Sequence, residues 1–113
     1  MNKELKRQIM EDFFPEEVYI IEEDTIDLIA SSSNVKISQS DYGSELDLAS
    51  AFAVLVNVAS FVDNVLNAIT FFKNSGNSNP TKEDIISKLP ENYDHTIGEK
   101  KSIDIIYFIN QKV

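Results

Sequence analysis

Eight acidic side chains lie between residues 11 and 27, with no Lys or Arg among them. Carboxylates at this density could bind a cation, perform acid–base chemistry or attract a basic protein. Their spacing does not match the Asp-x-Asp-x-Asp-Gly loop that folds around Ca²⁺, and adjacent acids are usually solvated charge. An acidic surface that only keeps the protein soluble is one interpretation. The sharper one is an acidic docking face formed by Glu16, Glu17, Glu22, Glu23, Asp24 and Asp27.

Other chemistry-bearing residues are sparse. The chain has no Cys, which excludes disulfides, thiolate zinc sites, iron–sulfur clusters and Cys-dependent catalysis. Its one His, His95, lies in a polar segment without a Gly-x-Ser-x-Gly elbow anywhere in the sequence. Gly43, Gly76 and Gly98 are too scattered to form a phosphate-binding loop. We therefore expect no catalytic residue, no bound metal and no cofactor, and we do not expect an enzyme.

The charge balance indicates the class of partner. Ten basic and nineteen acidic residues give a net charge of −9. Such a field repels nucleic-acid phosphates and attracts basic proteins. The first fourteen residues include three basic side chains but no apolar segment typical of a secretory signal. We therefore expect a cytoplasmic protein that binds another protein, with no nucleic-acid partner.

The elements that must position these residues form one predicted domain, residues 1–113, since 113 residues with 42% apolar composition suit one core. Helical spacing and end signals such as Pro15, Gly76 and the pair Thr81 and Asp84 predict the helices. Alternation and β-branched content predict the strands. The expected fold is helix-dominated α+β, with an all-α bundle as the alternative. Helices are predicted near 2–13, 44–74 and 81–89, and short strands near 18–22, 34–39 and 102–109, the last with a terminal helix as a close second.

The long central helix is unusually apolar. From Leu48 to Phe72 its one charged residue is Asp63, which divides the stretch and disfavours a membrane span. The apolar surface outside its polar arc is wider than the stripe of roughly 100° that a surface helix needs. Either the rest of the domain covers this surplus or another chain does. The polar arc consists of Ser50, Asn57, Ser60, Asp63, Asn64 and Asn67.

The length of this helix favours coverage of its surplus apolar surface by another chain. A straight helix from Ser44 to Phe72 spans about 43 Å, whereas a domain of this size has a radius of gyration of about 13 Å. Either the helix breaks between Ser60 and Asn64, where Ser, Asp and Asn can cap a new start, or its excess length packs on another chain. We therefore expect a homodimer whose self-association face contains Leu55, Val58, Val62 and Leu66.

These features predict a non-enzymatic protein-interaction module, a small adaptor or regulatory domain that acts through an apolar helix and an acidic face. In size and in its apolar helix the chain resembles small accessory domains of prokaryotic signalling and defence systems. The alternative is an acidic inhibitor or immunity-type protein that blocks a basic partner through residues 11–27. Such an inhibitor could act as a mimic of a nucleic acid.

Overall fold

A computed structural model of the chain describes residues 2–31 and 46–113, and these residues fold into helices alone. No strand occurs in the two described ranges, so the all-α alternative is correct for them and the α+β prediction is wrong. The helices are α1 Lys3–Phe13, α2 Pro15–Ile20, α3 Glu23–Ser31, α4 Leu46–Asn74, α5 Lys82–Ser87 and α6 Glu99–Lys112.

The predicted strand near 18–22 is wrong because residues 15–20 form α2. Pro15 occupies the first turn of this helix, where its missing N–H costs no hydrogen bond and its fixed φ suits the helical backbone. A proline that was expected only to end α1 therefore also starts α2. The chain becomes extended at Ile21, which ends the helix. The predicted strand near 34–39 lies outside the described residues.

The predicted strand near 102–109 is also wrong, and the alternative of a terminal helix is correct. Ser102, Ile105, Ile106 and Ile109 are all buried in α6. Their spacing of three, one and three residues is that of one helix face. The β-branched content that suggested a strand is outweighed here by helical periodicity and by the burial of that face.

Three predicted helices are confirmed. Helix α1 matches the prediction near 2–13, and α4 extends to Asn74 before Gly76 adopts a φ of +96°. Helix α5 begins at the predicted signal, because the Thr81 hydroxyl accepts a hydrogen bond from the Asp84 N–H while the Asp84 carboxylate accepts one from the Thr81 N–H. The break considered between Ser60 and Asn64 is absent, since α4 is one helix through these residues.

The chain divides into two compact units, an N-terminal unit, Met1–Ser60, and a C-terminal unit, Phe61–Val113. Helix α4 contributes residues to both. In the N-terminal unit α1 packs against α2 and α3, and in the C-terminal unit α5 packs against α6. The single domain expected from length stays a prediction.

Helix α4 supplies much of the buried apolar surface. Over Leu48–Asn74 it is long and apolar enough to cross a membrane by length and composition, but 44% of its most apolar window is buried inside the fold. Core helices of soluble proteins pass the same test, so this is weak support for a membrane span. Fully buried side chains elsewhere include Ile9, Met10, Ile29, Ile85, Ile105 and Ile109.

Candidate functional site

An arginine cluster joins α1 to α3 within the acidic segment. The Arg7 guanidinium lies 2.5 Å from Asp27 Oδ1, 3.1 Å from Glu11 Oε2 and 3.1 Å from Glu23 Oε1. Lys3 Nζ lies 3.8 Å from the same Asp27 oxygen. Hydrogen bonding to Arg7 lowers the pKa of Asp27, and hydrogen bonding to the three carboxylates raises the pKa of Arg7. These contacts bind α1 to α3 and keep both partners charged.

The arginine cluster divides the predicted acidic face into two sets. Glu23 and Asp27 are bound to Arg7 within the chain. Within ranges 2–31 and 46–113, no basic side chain forms an ion pair with the other four residues: Glu16, Glu17, Glu22 and Asp24. Glu16, Glu22 and Asp24 are exposed, and Glu17 is half-buried. This second set carries the part of the face's charge that no cation of the described residues neutralises.

The sequence could not reveal this division. Arg7 precedes the acidic segment and lies 20 residues from Asp27 along the chain. A count of charges by segment therefore assigns Arg7 to one group and its carboxylate partner to another. The packing of α1 on α3 brings them together.

Two of the unpaired acids line a cleft of about 310 Å³ in the N-terminal unit. We name it the acidic cleft. Ile20 is 46% exposed at its edge, Ala51 is buried, and Tyr19 beside it in sequence is 92% exposed. Carboxylates therefore share one concave surface with apolar side chains. The residues of the acidic cleft are Glu16, Glu17, Ile20, Ser50, Ala51 and Val54.

A second cleft, of about 500 Å³, lies in the C-terminal unit. We name it the amide cleft, because two residues of the polar arc of α4 line it. Ser50 of the same arc lines the acidic cleft, so the arc supplies polar groups to both clefts. Sequence reasoning found the arc and missed both clefts, since the opposing residues come from other elements. The residues of the amide cleft are Asn64, Asn67, Ala68, Phe71, Lys88, Leu89 and Pro90.

The predicted self-association face lies largely in the core. Leu55, Val58 and Val62 are fully buried, and Leu66 is half-buried. The surplus apolar surface of α4 is thus covered in large part within the chain itself. A second copy could reach the three buried residues only if the fold opened. Self-association stays a prediction, and these side chains do not supply an exposed surface for it.

His95 and the possible metal ligands are the remaining residues with side chains suited to chemistry. His95 is exposed. Among residues 2–31 and 46–113, no group of three His, Cys, Asp or Glu side chains is arranged to hold a metal ion.

Comparisons of the chain with protein-family models, with curated proteins and with solved structures find no match.

Proposed function

We propose that this protein is a protein-interaction module that binds a basic, amphipathic segment of a partner in the acidic cleft and catalyses no reaction. The observation that carries the proposal is the pairing, in one cleft, of Glu16 and Glu17 with apolar residues. A Lys or Arg side chain has an apolar stem and a cationic end, so it can satisfy both kinds of surface at once.

The charge of the surrounding unit supports this choice of partner. Residues 1–60 contain twelve acidic and four basic residues, a net charge of −8. Such a field accelerates the approach of a cationic partner and repels anionic ones. Arg7 and Lys3 pair with Asp27, and in residues 2–31 and 46–113 neither forms an ion pair with Glu16 or Glu17.

Exposed apolar side chains supply the second part of the recognition. Tyr19 is 92% exposed and Ile20 is 46% exposed. Burial of such side chains contributes roughly 25 cal/mol per Å² before the cost of association is subtracted. A partner with charge alone would leave this surface in water. The proposal therefore requires an amphipathic segment rather than any cation.

A labelled peptide tests the proposal. The probe is a fluorescein-labelled peptide of about 14 residues with Leu and Lys at helical spacing, and its control has the same composition in scrambled order. We expect anisotropy to report tighter binding of the amphipathic peptide, weakening as salt screens the charge. The double variant Glu16→Lys, Glu17→Lys should weaken binding by about tenfold or more.

A matched variant distinguishes the cleft from general attraction. The double variant Glu22→Lys, Asp24→Lys makes the same change in net charge with two acids that do not line the acidic cleft. We expect it to weaken binding much less. Equal effects of the two double variants, or equal binding of the two peptides, would show non-specific electrostatic attraction and overturn the proposal.

The acidic inhibitor is a second candidate, favoured by the net charge of −8 over residues 1–60. An inhibitor must abolish the activity of its basic partner and not merely bind it. Inhibition of a purified basic nuclease or toxin that is lost with Glu22→Lys, Asp24→Lys as well as with the cleft variant would favour this function. We propose a cytoplasmic location under both functions, where a protein without Cys is unaffected by the reducing environment.

A further inference from the structure

We propose that the amide cleft binds an extended peptide that carries an apolar side chain next to a carboxylate. The site lies in the C-terminal unit, shares no residue with the acidic cleft, and takes a ligand of opposite charge. This proposal is therefore independent of the proposed function.

The backbone of such a peptide is matched by two free amides. Asn64 and Asn67 lie three residues apart on α4, a spacing that places their Cβ atoms about 5–6 Å apart. Backbone groups on one side of an extended chain repeat every two residues, at about 6.6 Å. Each amide can donate and accept hydrogen bonds, as a peptide group does. The pair can thus bond to successive backbone groups on one side of the peptide.

These amides differ from the other amide in the polar arc. Asn57 Nδ2 donates to the Ala53 carbonyl at 2.8 Å, so its side chain is used within α4. No hydrogen bond joins the side chain of Asn64 or Asn67 to another residue in the described ranges. Their hydrogen-bonding capacity is therefore open to a ligand.

The cleft also offers an apolar surface. Phe71 is 48% exposed, while Ala68 and Leu89 are nearly buried and supply apolar surface to its lining. The small side chain of Ala68, next to Asn67, lets a backbone approach the helix closely. A volume of about 500 Å³ lies within the range of roughly 300–1,000 Å³ seen for ligand pockets and accommodates a Leu-sized side chain with its flanking backbone.

Charge selects the ligand residue beside the apolar one. Lys88 lines the amide cleft, and its ammonium lies 4.2 Å from the centre of the Phe71 ring. The ring attracts the cation and holds it at the edge of the apolar surface. A carboxylate beside the ligand's apolar side chain would pair with Lys88 while the ring stays in contact. Among residues 2–31 and 46–113, no acidic side chain lines this cleft to compete for Lys88.

The experiment uses the full chain labelled with ¹⁵N, because the side-chain amides of Asn64 and Asn67 give their own NMR signals. The probes are two blocked hexapeptides, Ser-Gly-Leu-Glu-Gly-Ser and Ser-Gly-Leu-Lys-Gly-Ser. We expect the first to shift both amide signals saturably below about 5 mM and the second to bind at least about fivefold more weakly.

Variants then separate the two kinds of contact. Lys88→Glu should reverse the preference between the peptides, whereas Lys100→Glu, the same change at an exposed position outside the cleft, should leave it intact. Asn67→Ala should weaken both peptides by a similar factor, since the backbone contact is common to them. Far-UV circular dichroism of each variant checks that the helices remain.

Three outcomes would overturn the proposal. In the first outcome, neither peptide shifts the Asn64 and Asn67 signals. In the second, Lys88→Glu and Lys100→Glu have the same effect on peptide preference. In the third outcome the signals move with protein concentration when no peptide is present, which would assign the cleft to a second copy of the chain.

Discussion

The N-terminal and C-terminal units use their cations differently. In the N-terminal unit, Arg7 bonds to three carboxylates and joins α1 to α3. In the C-terminal unit three lysines lie over aromatic rings, and one of them, Lys82, also forms an ion pair with Glu83 at 3.5 Å. The three contacts are Lys88 over Phe71, Lys82 over Tyr107 and Lys112 over Phe108, at 4.2, 5.9 and 5.3 Å. The arginine of the acidic unit thus connects two helices through ion pairs, whereas three lysines of the nearly neutral unit lie against aromatic rings.

This difference extends to the surfaces that remain open. Residues 1–60 carry a net charge of −8, and residues 61–113 carry −1. In the first unit Arg7 pairs with Glu11, Glu23 and Asp27, and Glu16 and Glu17 line the cleft without an ion pair in the described residues. The second presents uncharged amides beside a lysine. One helix, α4, therefore contributes its polar arc to two clefts of different chemistry.

The first prediction has the largest expected effect and tests whether the two units unfold independently. Val58 in the N-terminal unit and Val62 in the C-terminal unit are fully buried and lie one helical turn apart on α4. Val58→Glu or Val62→Glu buries an unpaired carboxylate, a change that costs several kcal/mol. We expect either variant to unfold both units, as the single-domain prediction requires, with loss of the helical circular dichroism signal.

Asn67→Glu, an exposed position on the same helix, is the control and should remain folded. Loss of one unit alone, seen as partial loss of dispersed amide signals, would show that the units fold separately. A folded monomer of Val62→Glu, produced from a dimeric parent in light scattering, would instead identify Val62 as part of a self-association face.

The second prediction compares the stability that a cation contributes within each unit. Arg7→Gln removes all three ion pairs and leaves Glu11, Glu23 and Asp27 to repel one another. The Arg7 side chain is 21% exposed and its three carboxylate partners are 40–78% exposed, so solvent screens the pairs, and we expect a loss of about 1 kcal/mol in urea unfolding. Lys82→Gln in the C-terminal unit should cost less than about 0.5 kcal/mol. Comparable losses would contradict the contrast between the units.

Sequence patterns predicted the helices whose end signals are local. Thr81 and Asp84 predict the start of α5 because both halves of a capping box lie within four residues. The strand prediction for 102–109 is wrong because β-branched content is a weak indicator of a strand, whereas Ile105, Ile106 and Ile109 have the spacing of a buried helix face. Pro15 was interpreted as a stop alone, whereas proline is equally suited to a helix start.

The candidate site was less predictable, for a physical reason. The acidic residues could be found by composition, but which of them remain unpaired depends on the packing of α1 against α3. Helical periodicity in the sequence predicted the polar arc of α4, but Lys88 and Leu89, which also line the amide cleft, come from elsewhere in the chain. Helical periodicity describes one element, and a cleft requires two.

The third prediction uses pH to separate the causes of two lowered carboxyl pKa values. Hydrogen bonding to Arg7 lowers the pKa of Asp27, whereas the Thr81 backbone N–H is the main cause for Asp84. A lowered folded-state pKa stabilises the fold fully above the unfolded value, 3.8, and this stability is lost as the pH falls through the folded-state value. Stability should therefore be level near neutral pH and decline below pH 3.8.

Carboxyl ¹³C titration measures the two groups separately. In Arg7→Gln, the pKa of Asp27 should return towards 3.8 while that of Asp84 remains lowered. If Asp84 moved as far as Asp27, the two units would be electrostatically coupled, and the contrast between them would be weaker than their contacts indicate.

The smallest effect compares two serine hydroxyls. Ser102 in α6 is fully buried, and among the described residues its Oγ has no hydrogen-bond partner. Ser31 in α3 is exposed, and its Oγ donates to the Asp27 carbonyl at 2.6 Å. Ser102→Ala removes a desolvated hydroxyl and adds helix propensity, so we expect a gain of about 0.5–1 kcal/mol. Ser31→Ala loses a solvent-exposed bond and gains the same propensity, so it should change stability by less than about 0.5 kcal/mol. Urea unfolding at neutral pH measures both, and a net loss for Ser102→Ala would mean that the buried hydroxyl is bonded in solution, most simply to a water molecule.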